Sequence, residues 1–342
     1  MESTPTLKTD QRIALLLNWL KTDCGLSFSF LQPMVGDASF RRYFRIQTKK
    51  GSFVVMDAPP TKENCHSFIA IAKTLREQGL LAPEIMAADL SQGFLLLSDF
   101  GEMTYLKALT SENADSLYTE AMNVLSHLQH IREVKGMDIP VFTADIMWQE
   151  WAWHKEWFLR KLLGLTPSVE EEKALDDCMA SLIASANAQP HVFMYRDYHS
   201  ANLMVLPEQQ VGLLDFQDAF IGPVTYDLVS LLRDCYIDWP AERVQDWAQY
   251  YWQRLSQLGV LPNVSQQEFL HWFDGMGMQR HLKALLTFAR KAVRDQQPHY
   301  LNYVPRTLHY LLTVSARYPE YHALHTYLQQ TVQPAWAKVS AS

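Results

Sequence analysis

Long apolar runs are missing from this sequence. Nothing in its 342 residues approaches the roughly 20 apolar positions that a bilayer-spanning helix needs, so no membrane partner is expected. The opening stretch, MESTPTLKTDQR, lacks the basic segment and apolar run of a signal peptide. Cysteine is scarce: Cys24, Cys65, Cys178 and Cys235 stand far apart without a CxxC pair, a pattern of reduced thiols rather than of a disulfide framework. Positive charge is short as well, with 30 Lys and Arg against 37 Asp and Glu and a net charge of −7. That argues against a nucleic-acid binder, whose binding face is usually basic. The expectation is a cytoplasmic protein with no nucleic-acid partner and no evident obligate protein partner.

What is present is globular. Hydrophobic residues make up 48% and charged residues 20%, enough for one large domain or two lobes. Ile13, Leu16, Leu17 and Leu20 share one face of a helix at about 10–23. Short aromatic or β-branched stretches at Ser27–Val35, Phe40–Gln47 and Ser52–Met56 then read as antiparallel strands joined by turns. A helix from about Thr61 to Gln78 and strands at Glu84–Asp89 and Phe94–Ser98 complete this part. Beyond Thr104 helical patterns dominate, at about 112–132, 144–163, 169–187, 224–236, 241–258 and 266–293. Strand-like pieces at His191–Met194, Leu203–Leu206 and Val211–Leu214 interrupt them.

The interruption carries chemistry. Transfer of a phosphoryl group needs a carboxylate to orient the acceptor hydroxyl and oxygen ligands for the magnesium that neutralises the phosphates. Both belong on rigid loops, because positioning supplies much of the catalysis. In FMYRDYHSANLMVL a hydrophobic strand leads to Asp197, and Asn202 follows at D-x-x-x-x-N spacing. A strand pair then ends in LLDFQD and delivers Asp215. Protein kinases carry their catalytic Asp, Asn and metal-binding Asp in this order. His199 either touches phosphate or braces the loop.

At these residues the chain resembles the aminoglycoside phosphotransferase family, whose loop usually reads H-G-D-x-H-x-x-N; here it is Tyr195-Arg196-Asp197-Tyr198-His199-Ser200-Ala201-Asn202. The resemblance runs from about Gly36 to Leu286. It implies an α+β, protein-kinase-like two-lobe fold: a small antiparallel β N-lobe at 1–98, a hinge at 99–103, and a larger, mostly helical C-lobe at 104–342. It also implies ATP and Mg2+ as cofactors, Asp197 as base, Asn202 and Asp215 as metal ligands, and Asp227 as the brace of the catalytic loop. GDASFRRYFR, VVMDAPP, LLLSDFG, YRDYHSANLM and LLDFQDAFIGPVTYDLVSLLRD together look like its branch of anomeric sugar kinases in cell-wall recycling. Those enzymes phosphorylate the C1 hydroxyl of N-acetylmuramate and N-acetylglucosamine, so a small amino sugar is the expected partner.

Two departures matter. Where kinases carry a strand-three lysine for the phosphates, VVMDAPP offers Met56 and then Asp57. Arg41, Arg42, Arg45 or Lys73 takes that role, or the nucleotide sits differently. The glycine-rich phosphate loop is also absent. Gly36 and Ser39 either cradle phosphate oxygens or form a plain hairpin turn.

Other features have two readings each. Asp99-Phe100-Gly101 spells a kinase metal motif too early in the chain; it is read as the link between lobes, where backbone groups of Leu97 and Ser98 meet adenine. The aromatic run Trp148–Trp157 is either core packing or a sugar platform, with Trp151 the candidate. Arg280, on one stretch with His281, Lys283 and Arg290, either meets a substrate carboxylate or belongs to a solvated basic face. An aminoglycoside or amino-alcohol kinase and a nucleotide-binding pseudokinase are the alternatives to a sugar kinase.

Overall fold

The computed structural model describes residues 10–34 and 40–341, and these divide into two compact units. In the first unit lie residues 10–34, 40–103, 134–137 and 204–217. The second holds residues 104–133, 138–203 and 218–341.

The first unit opens with α1 (Gln11–Thr22). Asp10 caps it, accepting from the amides of Arg12 at 2.9 Å and Ile13 at 3.4 Å, and so satisfies amides that have no partner within the helix. Strands β1 (Phe28–Pro33), β2 (Arg42–Thr48), β3 (Gly51–Asp57), β4 (Ile85–Asp89) and β5 (Phe94–Ser98) form an antiparallel sheet in the order β1-β2-β3-β5-β4. Helix α2 (Cys65–Glu77) follows β3. Of the α1 face expected from its spacing, Ile13, Leu16 and Leu20 are buried, joined by Trp19, in one core with Phe44, Ile46, Val55, Phe94 and Leu96, while Leu17 is only partly buried against it. Apolar burial of this kind is the main driving force for docking a helix on a sheet. Two short paired strands, Leu203–Val205 and Val211–Leu213, accompany this unit.

Strand β3 shows why a lysine is not at Met56. Met56 is completely buried, as is the Asp57 side chain. Asp57 is clamped by two guanidinium groups, with Nε of Arg12 and Nε of Arg42 each donating at 2.9 Å. Arg12 also donates to the Gln92 carbonyl at 2.7 Å. Beside it, Gly93 has φ +74°, and a Cβ there would stand 1.9 Å from the Ala58 carbonyl oxygen. Only glycine fits that approach.

The second unit is mostly helical. It contains α3 (Tyr105–Ala108), α4 (Ala114–Leu128), α5 (Ala144–His154), α6 (Val169–Asn187), α7 (Tyr226–Leu232), α8 (Ala241–Gln257), α9 (Gln266–Val293), α10 (Val304–Ser315), α11 (His322–Tyr327) and α12 (Gln333–Ser340). Helix α5 runs on into a π-helical segment, Lys155–Leu162. Strand β6 (His191–Met194) pairs antiparallel with Phe220–Pro223. With the two short strands above counted as β7 and β8, that partner is β9.

Helix α9 is the axis of this unit and packs against α5, α6, α7, α8 and α10. It is buried over most of its length, polar residues included. Most of those have partners, as buried polar groups must. Asp274 pairs with Arg233, Gln279 donates to Glu150 at 2.8 Å, and a ring nitrogen of His281 meets the Arg233 carbonyl at 3.0 Å.

Candidate active site

The loop from Tyr195 to Asn202 follows directly from β6, and two buried aspartates hold it. Asp227, on α7, accepts the backbone amides of Tyr195 at 2.6 Å and Arg196 at 2.9 Å. Asp234, just past α7, accepts the Ser200 amide at 2.9 Å and its hydroxyl at 2.5 Å through Oδ2, and the Tyr236 amide at 2.9 Å through Oδ1. Tyr195 and Tyr198 pack edge to face at 5.2 Å, and the Tyr198 hydroxyl donates to the Ala121 carbonyl at 2.8 Å. Between the clamps Arg196 has φ +79°, a left-handed conformation that costs a side-chain-bearing residue about 1–2 kcal/mol. Its guanidinium lies over the Phe220 ring, 5.1 Å from the centroid. Strain held in this way is typical of functional loops.

Asp197 projects from the pinned loop with its side chain 27% exposed. Lys283 of α9 reaches to 3.9 Å from its Oδ1. Burial pushes the Asp197 carboxyl up, but Lys283, His199, Arg196 and Arg280 outweigh it and hold the group below the usual carboxylate range. Asp197 is therefore an ionised acceptor at neutral pH. Asn202 turns its Nδ2 back to the Asp197 carbonyl at 3.1 Å and stands 3.4 Å from His199 Nε2. His199 also sets the local turn, its amide donating to the Asp197 carbonyl at 3.0 Å. A cavity of about 90 Å³ opens beside these groups, lined among others by Asp197, His199, Asp234, Arg280, Lys283 and Phe288.

In the first unit Asp215 has φ +65° and receives Gln217 Nε2 on Oδ1 at 2.6 Å. Phe216 is buried against Phe68, with ring centroids 4.9 Å apart. Arg41 pairs with Glu63 at 3.1 Å, the two side chains 10% and 15% exposed. Burial raises the Tyr43 hydroxyl; Arg41 counters this, while Asp215 and Glu63 add to it. All four residues therefore lie in one electrostatic neighbourhood.

Two expected nucleotide contacts have partners within the fold. Arg45 donates to Asp99 through Nε at 2.7 Å and Nη2 at 3.0 Å, and also to Glu102 and the Gly101 carbonyl. Ser52 adds a bond to Asp99 at 2.5 Å. Burial raises the Asp99 carboxyl, yet these bonds bring it below its ordinary range. Arg45 thus ties β2 to the segment after β5, which a basic residue on a strand does not reveal by itself. Leu97 and Ser98 lie in β5, flanked by β3 and β4, and the Ser98 amide donates to the Glu84 carbonyl at 2.9 Å. Of the backbone groups expected to meet adenine, the Ser98 amide is already a sheet donor. Gly36 and Ser39 fall outside the described residues.

Trp151 is a packing residue in the second unit. It is buried on α5, donates to Asp176 at 2.6 Å and stacks on His154 at 5.2 Å, and it does not line the cavity beside Asp197. Arg280 does line that cavity and is 8% exposed, which removes the reading of a solvated basic face. Asp234 and Glu63 had no signal of their own in the sequence. A carboxylate at a helix end and one in a turn before a helix are common, and only their tertiary partners distinguish them.

Asn202 and Asp215 offer hard oxygen donors of the kind magnesium takes, an amide and a carboxylate. Among the described residues no group of three or more His, Cys, Asp and Glu side chains is placed to hold a metal. Asn202 and Asp215 each offer, taken singly, the kind of protein oxygen that a magnesium ion with mostly phosphate and water ligands takes.

The sequence model of the phosphotransferase enzyme family matches residues 31–260. An N-acetylmuramate/N-acetylglucosamine kinase of Pseudomonas aeruginosa is 42% identical over 307 residues, 90% of each chain. A protein of the same name from Neisseria meningitidis serogroup B is 37% identical over 332 residues, 94% of this chain and 96% of that one. Among solved structures, the GDP complex of an aminoglycoside 2'-phosphotransferase matches with a TM-score of 0.62 at 12% identity, covering 90% of this chain and 99% of that one. That last likeness is one of fold.

Proposed function

The chain belongs to the phosphotransferase enzyme family, and from that premise we propose that it is an ATP-dependent kinase for N-acetylmuramate and N-acetylglucosamine, with the anomeric C1 hydroxyl as acceptor. The observation that carries the reading is the 42% identity, over 90% of both chains, to a kinase of that name. A cytoplasmic role in recycling cell-wall sugars follows from the same substrates.

Asp197 accepts a hydrogen bond from the C1 hydroxyl and orients its oxygen toward the γ-phosphorus. An anomeric hydroxyl is more acidic than an ordinary alcohol, so a carboxylate of low pKa suffices for the proton. The transition state of phosphoryl transfer is loose, and most of the catalysis is positioning and charge neutralisation. The two clamps on the loop, Asp227 and Asp234, supply the positioning. Asn202 and Asp215 are the oxygen donors for magnesium, which neutralises phosphate charge when bound. Arg41, held by Glu63 and acting with Asp215 on the same Tyr43 hydroxyl, takes the part of the strand-three lysine.

A polyamine acceptor fits poorly beside Arg280 and Lys283, because like charges in a part-buried cavity repel. A pseudokinase reading conflicts with a complete set of base, amide and carboxylate. Incubation with ATP, magnesium and each sugar, followed by phosphorus NMR, tests the proposal: an acid-labile sugar phosphate is expected. Absence of product with both sugars would sink the substrate assignment.

A further inference from the structure

Among the described residues two arginines, Arg233 and Arg280, are buried. Arg233 is matched by the carboxylate of Asp274. Arg280 has no such match. It is 8% exposed, lines the cavity beside Asp197, and among the described residues no carboxylate oxygen comes within ion-pair distance of it. Asp197 and Asp234 act on it from farther away. Asp234 is already bonded by Ser200 and Tyr236, and Asp197 has Lys283 at 3.9 Å. A buried charge without a counter-charge is costly to keep, and a cavity wall that holds one is shaped for an anion.

We infer that Arg280, assisted by Lys283, forms a carboxylate subsite that reads the lactyl group of N-acetylmuramate and sets the preference for the acidic sugar over the neutral one. This rests on the kinase reading above for the identity of the sugar. The two sugars differ by the lactyl ether on O3, which is the only ionised group on either. O3 stands two ring carbons from C1, so a group that reads the lactyl carboxylate has to stand close to the catalytic base. Arg280 and Lys283, one turn apart on α9, line the same small cavity as Asp197. Arginine binds a carboxylate through two parallel hydrogen bonds, which gives orientation as well as attraction and fixes the ring with C1 toward Asp197. The other anion available to such a guanidinium is the transferring phosphoryl group, and the experiment separates the two.

Isothermal titration of the full chain with N-acetylmuramate and with its lactyl methyl ester reads the subsite without turnover. The acid is expected to bind about tenfold or more tightly than the ester, the effect of one charge-assisted hydrogen-bonded pair. Arg280→Gln is expected to erase the difference and Arg280→Lys to keep part of it. In steady-state assays, the ratio of kcat/KM for N-acetylmuramate over N-acetylglucosamine is expected to fall about tenfold or more in Arg280→Gln. Equal binding of acid and ester by the wild type, or binding of neither, overturns the inference. So does an equal loss of kcat/KM for both sugars in Arg280→Gln, which would assign the guanidinium to the phosphoryl group. Wild type that prefers the acid but phosphorylates neither sugar leaves the subsite supported and sinks the kinase reading instead. Wild type that phosphorylates both without preferring the acid does the reverse.

Discussion

Asp234 holds Ser200 twice through one carboxylate oxygen, accepting its amide at 2.9 Å and its hydroxyl at 2.5 Å. The bond anchors the far end of the loop whose near end Asp227 holds by the Tyr195 and Arg196 amides. Asp197 lies between the two anchors, so its position is determined from both sides.

Removing the far anchor is expected to slow the reaction more than it weakens ATP. In Asp234→Ala the Ser200 and Tyr236 amides lose a buried acceptor, a stability loss of about 1–3 kcal/mol. A misplacement of the base by about 1 Å lowers kcat by up to about a hundredfold. Steady-state kinetics beside a thermal melt checks this; a folded variant with unchanged kcat would remove Asp234 from the positioning role.

The near anchor makes stability depend on pH. Burial pushes the Asp227 carboxyl up to about 7, against the pull of the two amides and with the help of Asp197. The native state then keeps a proton that the unfolded chain releases near the ordinary value of 3.8. The contribution of Asp227 to stability is full below that value and falls as pH rises toward about 7. The melting temperature of the wild type is expected to decline over this window relative to Asp227→Asn. Parallel curves would contradict it.

Much of this was legible in the sequence, and the failures share one cause. The α1 face, the strand pattern of the first unit and the order Asp197, Asn202, Asp215 depend on local periodicity and spacing, which a single sequence displays. The roles of Arg41 and Arg45 depend on which carboxylate each meets, Glu63 or Asp99, and nothing local separates them. Trp151 could be read as core packing or as a sugar platform, because aromatic composition is the same for packing and for binding. Beyond Val293 the helical segments begin near Pro298, Pro305, Pro319 and Pro334, and all but α10 are too brief for a periodic signal. Strand β9 has four residues, and its role is visible only in its pairing with β6.

Arg41 and Arg45 are expected to separate cleanly in kinetics. Arg41→Met should raise KM for ATP about tenfold or more, the size of a lost charge-assisted bond, and Glu63→Gln should do so more weakly. Arg45→Met should lower the melting temperature, because Asp99 loses its counter-charge, with a smaller change in KM for ATP. The reverse ordering would return Arg45 to the phosphates.

Restoring a kinase-like lysine on β3 is expected to fail. Met56 is fully buried and Asp57 is held by Arg12 and Arg42. A Met56→Lys variant puts an unpaired charge into that core, and Asp57→Ala leaves two guanidinium groups facing each other. Breaking a buried pair costs about 3–5 kcal/mol, a value to discount here because both arginines are partly exposed. Chemical denaturation should give a lower midpoint for both variants, and an unchanged midpoint would contradict the clamp.

The most direct measurement follows carbon and phosphorus together. N-acetylmuramate labelled with carbon-13 at C1 is incubated with ATP, magnesium and the wild-type protein, and with Asp197→Asn, whose rate should fall by about a hundredfold or more. The expected product shows the labelled C1 resonance split by coupling to phosphorus, formed by the wild type. Phosphate attached elsewhere on the sugar, or an Asp197→Asn variant as fast as the wild type, would contradict anomeric phosphoryl transfer at Asp197.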